Sequence, residues 1–427
     1  MDEQRKTTPL HPWHVGRSAS MACFGGYHMP LWYPAGAKAE HLAVLTAAGL
    51  FDTSHMALLS LHGRGARTLL QRCCCRDLER CLGKARGPLV PGRSVYTMFL
   101  DERGFVIDDA IVSQCADADY TVVVNASMGA AVAAHLAAHN REDARIVDWT
   151  DRLGKMDLQG PRAPRILARV LKEAERVFAG LVTFSFKGSF APEALPAATP
   201  AQLSDGTPVL VSRTGYTGEV GFELFVDRAH TARLWEQLLA AGADDGLLPC
   251  GLAARDSLRA GAGLPLSHQD IGPWLFARNP WLFVLPRDEA GGFTKEFVGA
   301  AALVADGDHH HTLAFAGFDP RKVAAGEQSR VMDPDGRELG RVLTCATDMA
   351  IDRVDGRIVS VTTPIESGRP TGFTPRGLCC GFVRVSEPLP AGAIVHLAEG
   401  RRTLKVEIRD EIRPDRTARQ SLTRFLP

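Results

Sequence analysis

Ser212-Arg213-Thr214-Gly215-Tyr216-Thr217-Gly218-Glu219-Val220-Gly221-Phe222-Glu223-Leu224 sets three glycines, a tyrosine and two glutamates between two apolar runs. Val209, Leu210 and Val211 read as a strand entering the stretch, and Phe222 to Val226 as a strand leaving it. The glycines permit either an ordinary tight turn or the close approach of a flat ligand to the backbone. Both readings stand on this stretch alone. No Gly-Lys-Ser/Thr follows the glycines, so a phosphate loop is excluded.

Working outward, Tyr96 to Leu100 and Gly104 to Ser113 read as strands joined by a turn at Asp101-Glu102-Arg103-Gly104. The second strand carries Asp108-Asp109 inside an apolar run. Side chains alternate across a strand, so the two aspartates are expected on opposite sides. One of them then points toward a core or a ligand, where burial raises its pKa unless a partner offsets it. The other reading is a bulged edge strand with both aspartates in water. A third strand runs from Tyr120 to Asn125. Helices are predicted over 38–48, with Leu42, Leu45 and Ala48 on one face, and over 128–138, 163–174 and 229–241. Pro161 suits the start of the third. The small residues of Cys250-Gly251-Leu252-Ala253-Ala254-Arg255-Asp256 suggest another closely packed helix. Gly261-Ala262-Gly263 lacks the third glycine of a dinucleotide loop. His55 reads either as a catalytic base or as a histidine hydrogen-bonded at a turn.

The 427 residues suggest two or three domains, and 45% hydrophobic content suffices for a large core. Lys plus Arg equals Asp plus Glu at 49 each, which gives no hint of nucleic acid or a membrane surface as partner. The charged start, Met1 to Lys6, has no apolar run behind it, so a signal peptide is not expected. No stretch is long and apolar enough to predict a transmembrane helix. The ten cysteines include the runs Cys73-Cys74-Cys75 and Cys379-Cys380, which pair poorly with each other and read as reduced thiols in a cytoplasm. Their spacings match no standard zinc pattern, and no metal is expected. Asp306-Gly307-Asp308-His309-His310-His311 reads as a linker. From Thr312 onward, short strands alternate with Gly, Pro and Asp turns, the pattern of a small β-barrel or sandwich.

Eight segments, in order, resemble the glycine cleavage T-protein family of tetrahydrofolate-dependent aminomethyltransferases. They are Met29-Pro30-Leu31, Phe51 to Met56, Val106 to Asp109, Val124-Asn125-Ala126, Leu158 to Pro161, Arg213 to Glu219, Gly221-Phe222-Glu223 and Gly251 to Asp256. The resemblance implies an α+β fold of three domains, with mixed sheets and helices around a central folate site and a C-terminal β-barrel. It implies a catalytic region over 8–305, made of two interleaved subdomains, and a barrel domain over 312–420. It makes Asp109 the catalytic residue, and Tyr96, Asn125, Tyr216, Glu223 and Arg255 the folate-holding ones. It names tetrahydrofolate as co-substrate and the lipoylated H-protein as partner, and it implies a reaction with no metal and no covalent enzyme intermediate. Each role suits the chemistry. A carboxylate such as Glu223 accepts paired donors from a pterin edge, Tyr216 offers a flat contact, and Arg255 a planar fork.

Two departures stand out. The family's glutamate after the Arg-Asp motif is Gly261 here, and Pro273 to Trp281 is unusually aromatic. An insertion is expected around 348–375. These departures leave two further readings open: a tetrahydrofolate-dependent demethylase of a small methyl donor, and a non-catalytic folate-binding accessory protein.

Overall fold

The computed structural model describes residues 5–305 and 307–426. The expectation of no leader at Met1 to Gln4, and the Asp306 end of the linker, lie outside the described residues. The chain up to Cys250 builds two large sheets and the small hairpin Ser20–Phe24 with Tyr27–Trp32. One is five-stranded and antiparallel, in the order Arg93–Leu100, Val106–Ala116, Asp119–Val124, Ala57–His62, Arg145–Asp148. The other is six-stranded, in the order Phe186–Gly188, Leu210–Ser212, Gly221–Asp227, Leu153–Gln159, Ala48–Asp52, Leu247–Cys250, and only its last pair is parallel. The chain leaves the six-stranded sheet after Asp52, completes the five-stranded one, and returns beside its own departure point as Leu153–Gln159.

Each sheet buries its apolar face under helices. Leu69 and Leu70 of Ala66–Cys73, with Val132 and Leu136 of Gly129–Ala138, cover Leu59, Val112 and Val122. Leu234, Trp235 and Leu238 of Thr231–Ala241 pack with Leu158, Phe222 and Leu224. Each such buried side chain contributes about 1.5–3 kcal/mol. The hairpin pairs Leu210 with Phe225 and Ser212 with Glu223. Its turn requires glycine for two reasons. Gly218 has φ +79°, and a Cβ on Gly215 would lie 2.1 Å from Gln159 Oε1.

Three local expectations need correction. The helix predicted over 163–174 stops at Ala168, and a second one spans Ala174–Phe178. Between them the backbone turns outward to pair with a loop: Lys172 N donates to Gln202 O and Ser204 N to Val170 O. The helix Ala37–Thr46 is buried on more than one face, because Glu40 and His41 are buried as well. Glu40 accepts hydrogen bonds from Tyr33 N and Gly251 N. The segment Gly307 to His310 is not a free linker, since Asp308 pairs with Arg384 at 2.5 Å.

The C-terminal region is a closed six-stranded barrel built from His311–Gly317, Ser329–Met332, Glu338–Asp348, Leu378–Val385, Ile394–Glu399 and Arg402–Arg409. The segment expected as an insertion contains the hairpin Ile351–Val354 with Arg357–Ser360. Among the described residues, no helix is long and apolar enough to cross a membrane.

Candidate active site

Asp109 lies on Val106–Ala116, opposite Met98. Tyr96, two residues before Met98, donates its hydroxyl to Asp109 Oδ2 at 2.7 Å. Asn125, just past the neighbouring strand, donates Nδ2 to Asp109 Oδ1 at 2.5 Å. The two aspartates are not turned fully apart. Both are regularly paired, the one shift skipping Ile107, and they meet because Asn125, just past Val124, reaches both carboxylates. Asp108 accepts from Asn125 N and Nδ2, both at 2.8 Å, and from Ser267 Oγ at 2.8 Å. Asp108 is fully buried and Asp109 partly exposed. Burial raises the pKa of both. Asp109 reaches about 7, because the Asp108 charge adds to burial and outweighs the Tyr96 and Asn125 hydrogen bonds.

A second cluster sits on the six-stranded sheet. Lys155 and Asp157 alternate along Leu153–Gln159 and so share a face; both are completely buried. Lys155 Nζ bonds Asp157 Oδ1 at 2.7 Å and Thr53 Oγ1 at 3.1 Å, and lies 3.5 Å from Glu223 Oε1. Arg255 Nη1 reaches Asp157 Oδ2 at 2.7 Å. Burial alone would raise Asp157, but Lys155 and Arg255 outweigh it and hold the carboxyl at about 2. Glu223, across the strand pairing from Asp157, is raised by burial despite Lys155. Thr214 Oγ1 donates to Glu223 Oε2 at 3.0 Å.

Tyr216 connects the clusters. The Arg255 guanidinium lies 4.9 Å from its ring centroid, and its hydroxyl donates to Pro265 O. Burial raises the Tyr216 pKa, and Asp109 is close enough to add to the rise. The six residues predicted from the sequence therefore gather in two facing groups: Asp109, Tyr96 and Asn125 on one sheet, and Glu223 and Arg255 beside the other, with Tyr216 between them.

Sequence reasoning missed four residues. Lys155 and Asp157 could have been found, because two opposite charges at i and i+2 in an apolar strand share one face. Ser267 and His268 sit in the loop after Gly263, with His268 Nε2 at 3.9 Å from Asp108 Oδ1; nothing in the sequence marks that loop. His55 is not bonded as a turn histidine. It is buried edge-on against Phe24, its Nδ1 has no hydrogen-bond partner among the described residues, and burial lowers its pKa to about 4.

A cleft of about 690 Å³ opens beside Tyr96. Arg76, Arg93, Arg213 and Arg419 line it, and among the described residues no acidic side chain does. Arg213 bonds Gln420 O at 2.6 Å, and its buried Nε has no partner among the described residues. Of the six predicted residues, only Tyr96 lines this cleft.

Both sequence departures fall at the seam with the barrel. A Cβ on Gly261 would meet Asp348 Oδ2 at 1.8 Å. Asp348 comes from the end of the barrel strand Glu338–Asp348, held by Arg413 Nη1 at 2.6 Å and His41 Nε2 at 2.9 Å. A carboxylate thus occupies the space beside residue 261, supplied from the barrel. Trp281 donates Nε1 to Gly263 O at 3.0 Å and packs edge-on against Phe382 of the barrel. Trp274 lies under Arg384. The aromatic stretch serves packing between the catalytic sheets and the barrel.

The family model described as the GCVT N-terminal domain matches residues 10–275. The aminomethyltransferase of Geobacillus kaustophilus is 36% identical over 82% of this chain and 93% of its own length. That of a Parafrankia species is 34% identical over 80% of this chain and 86% of its own length. The crystal structure of glycine cleavage system aminomethyltransferase T from Bartonella henselae superposes with a TM-score of 0.74 at 26% identity, covering 97% of this chain and 99% of that one. The chain belongs to the aminomethyltransferase family, the T-protein of the glycine cleavage system.

Proposed function

We propose that this aminomethyltransferase moves the methylene carbon of an aminomethyl-dihydrolipoyl arm, carried by the H-protein, to tetrahydrofolate in the cytoplasm. Two bonds form from that carbon to folate nitrogens, and its bonds to sulfur and to the amine nitrogen break. The two protons displaced from the folate nitrogens end on the thiol and the amine, so ammonia and the dihydrolipoyl arm leave.

Asp109 is the residue at the chemistry. As a carboxylate it orients the attacking nitrogen and stabilises the cationic methylene, an electrostatic role worth several kcal/mol in comparable sites. Its pKa of about 7 also lets it exchange a proton near neutral pH. Glu223, with Lys155 behind it, accepts from the donor edge of the pterin. Tyr216 and Arg255 give that ring a flat cationic wall, and Tyr96 and Asn125 fix the Asp109 carboxylate. The arginine-lined cleft beside Tyr96 suits the carboxylate tail of folate.

The observation that carries this reading is the Tyr96–Asp109–Asn125 cluster facing Tyr216 and Arg255. The test supplies aminomethylated H-protein and tetrahydrofolate, and measures ammonia and methylene-tetrahydrofolate. Equal amounts of both, lost in Asp109→Asn, support it. Methyl-tetrahydrofolate from a small methyl donor, with no ammonia, would replace it with the demethylase reading.

A further inference from the structure

The cysteine run Cys73-Cys74-Cys75 plays no part in the transfer chemistry, yet its first member has unusual neighbours. Cys73 is the last residue of the helix Ala66–Cys73 and is fully buried. His135 and His139, four residues apart, lie on one face at the end of Gly129–Ala138, with ring centroids 4.8 Å apart. One donor atom from each of the three residues falls within 4.8 Å of the others. Ligands of a tetrahedral zinc ion stand about 3.3–3.8 Å apart, at bond lengths of about 2.0–2.3 Å. Small side-chain rotations close that difference.

The imidazoles are arranged as ligating histidines are. His139 Nδ1 bonds the His135 backbone carbonyl at 2.9 Å, which fixes its tautomer and leaves Nε2 turned outward. His135 Nε2 is buried with no hydrogen-bond partner among the described residues, so the nearby Cys73 thiol does not satisfy it. The His135 ring also lies against the Cys73 backbone carbonyl. A fourth donor is in reach: Glu102 Oε1, on the exposed turn between Arg93–Leu100 and Val106–Ala116, is 3.7 Å from His139 Nε2. Of the nearby cations, Arg72 is neutralised by Glu142 at 2.8 Å, and Lys295 is turned to the backbone carbonyls of Gln71 and Cys74.

We propose that Cys73, His135 and His139 form a zinc site, with Glu102 or water in the fourth position, that pins the two helices to the Asp101–Gly104 turn. One thiolate with two imidazoles selects zinc over the hard cations magnesium and calcium. No ligand spacing shows along the chain, because the ligands come from two helices and a turn. The site lies on the helix-covered face of the five-stranded sheet, away from Asp109, and its role is structural.

The test uses the full-length protein, stripped with a chelator and titrated separately with zinc and with cobalt(II). The expected result is one zinc per chain surviving desalting, a raised thermal midpoint, and a thiolate-to-cobalt charge-transfer band with tetrahedral visible bands. His139→Gln, at the helix end, should keep the fold and lower zinc affinity by about a hundredfold or more, since even lost outer partners cost about 10–100-fold. Cys73→Ala should abolish the charge-transfer band, while Cys74→Ala keeps it. Aminomethyl transfer at a permissive temperature should be unchanged in His139→Gln. Absence of a thiolate band in the wild-type cobalt spectrum would overturn the site. So would unchanged zinc stoichiometry and affinity in folded His139→Gln.

Discussion

Asp108 and Asp109 share a single side-chain amide, with Asn125 Nδ2 at 2.8 Å from one carboxylate and 2.5 Å from the other. The amide's two N–H groups serve one carboxylate each, which holds the two aspartates close together, and the partly exposed Asp109 is the member free to meet a substrate. Asp109→Asn keeps the shape and removes the charge. Turnover should fall by about a hundredfold or more, with little change in folate affinity, measured by steady-state kinetics and equilibrium binding. Near-normal turnover in a folded Asp109→Asn would refute the assigned role.

The pH dependence follows from the same pair. Asp109 titrates at about 7, so kcat/KM should fall tenfold per unit on the acid side of that value. Asp108→Asn removes the repelling charge and should move this limb to lower pH. Tyr96→Phe removes a hydrogen bond that favours the carboxylate and should move it to higher pH. The sign for stability is the reverse of the usual carboxylate case. The folded pKa is raised, so the folded state holds the extra proton between about pH 4 and pH 7, and stability declines as pH rises through that window. Asp109→Asn should accordingly melt above the wild type at pH 8 in a thermal scan.

The second cluster predicts a different split. Lys155 is the buried cation that faces both Asp157 and Glu223. Lys155→Met leaves buried carboxylates with Arg255 alone and should cost about 3–5 kcal/mol in denaturant unfolding. Glu223→Ala should instead leave stability within the usual range of about 0.5–3 kcal/mol and weaken tetrahydrofolate binding. Calorimetric titration separates the two outcomes.

At the barrel seam, Gly261→Ala drives a methyl group into the Asp348 carboxylate and should destabilise by about 1–3 kcal/mol. Asp348→Gly removes the closer of the two carboxylates of Arg413, leaving Glu219 at 3.4 Å, and should cost more, about 3–5 kcal/mol. Gly261→Glu combined with Asp348→Gly returns a carboxylate to the same space and should recover part of that loss. Urea unfolding of the two single variants and the double variant measures the coupling.

The hairpin and the neighbouring strands were legible in the sequence because their signals are local, and the ordered motifs carried the family. Glycine spacing, alternation and motif order survive without knowledge of the fold. The convergence of Asp108 and Asp109 on Asn125 was not legible, because a strand's alternation says nothing of a side chain past the end of the neighbouring strand that reaches both. The break after Ala168 depends on a loop beginning some thirty residues later, at Gln202. Gly261 looked like a lost functional group, since its meaning lies in Asp348, far along the chain. Lys155 and Asp157 were legible by spacing and went unread, because two buried charges in a strand gain sense only when their partners on other strands are known.

Arg413 sits fully buried between Asp348 and Glu219, and also bonds the Thr217 carbonyl in the glycine hairpin. The side chain that neutralises the barrel's seam thus comes after every barrel strand in chain order. A nascent chain that has already synthesised Asp109, Glu223 and every barrel strand still holds two carboxylates with no guanidinium to meet them. Such a chain keeps its catalytic groups yet exposes an unfinished seam, which makes it a target for chaperones and proteases rather than a working enzyme.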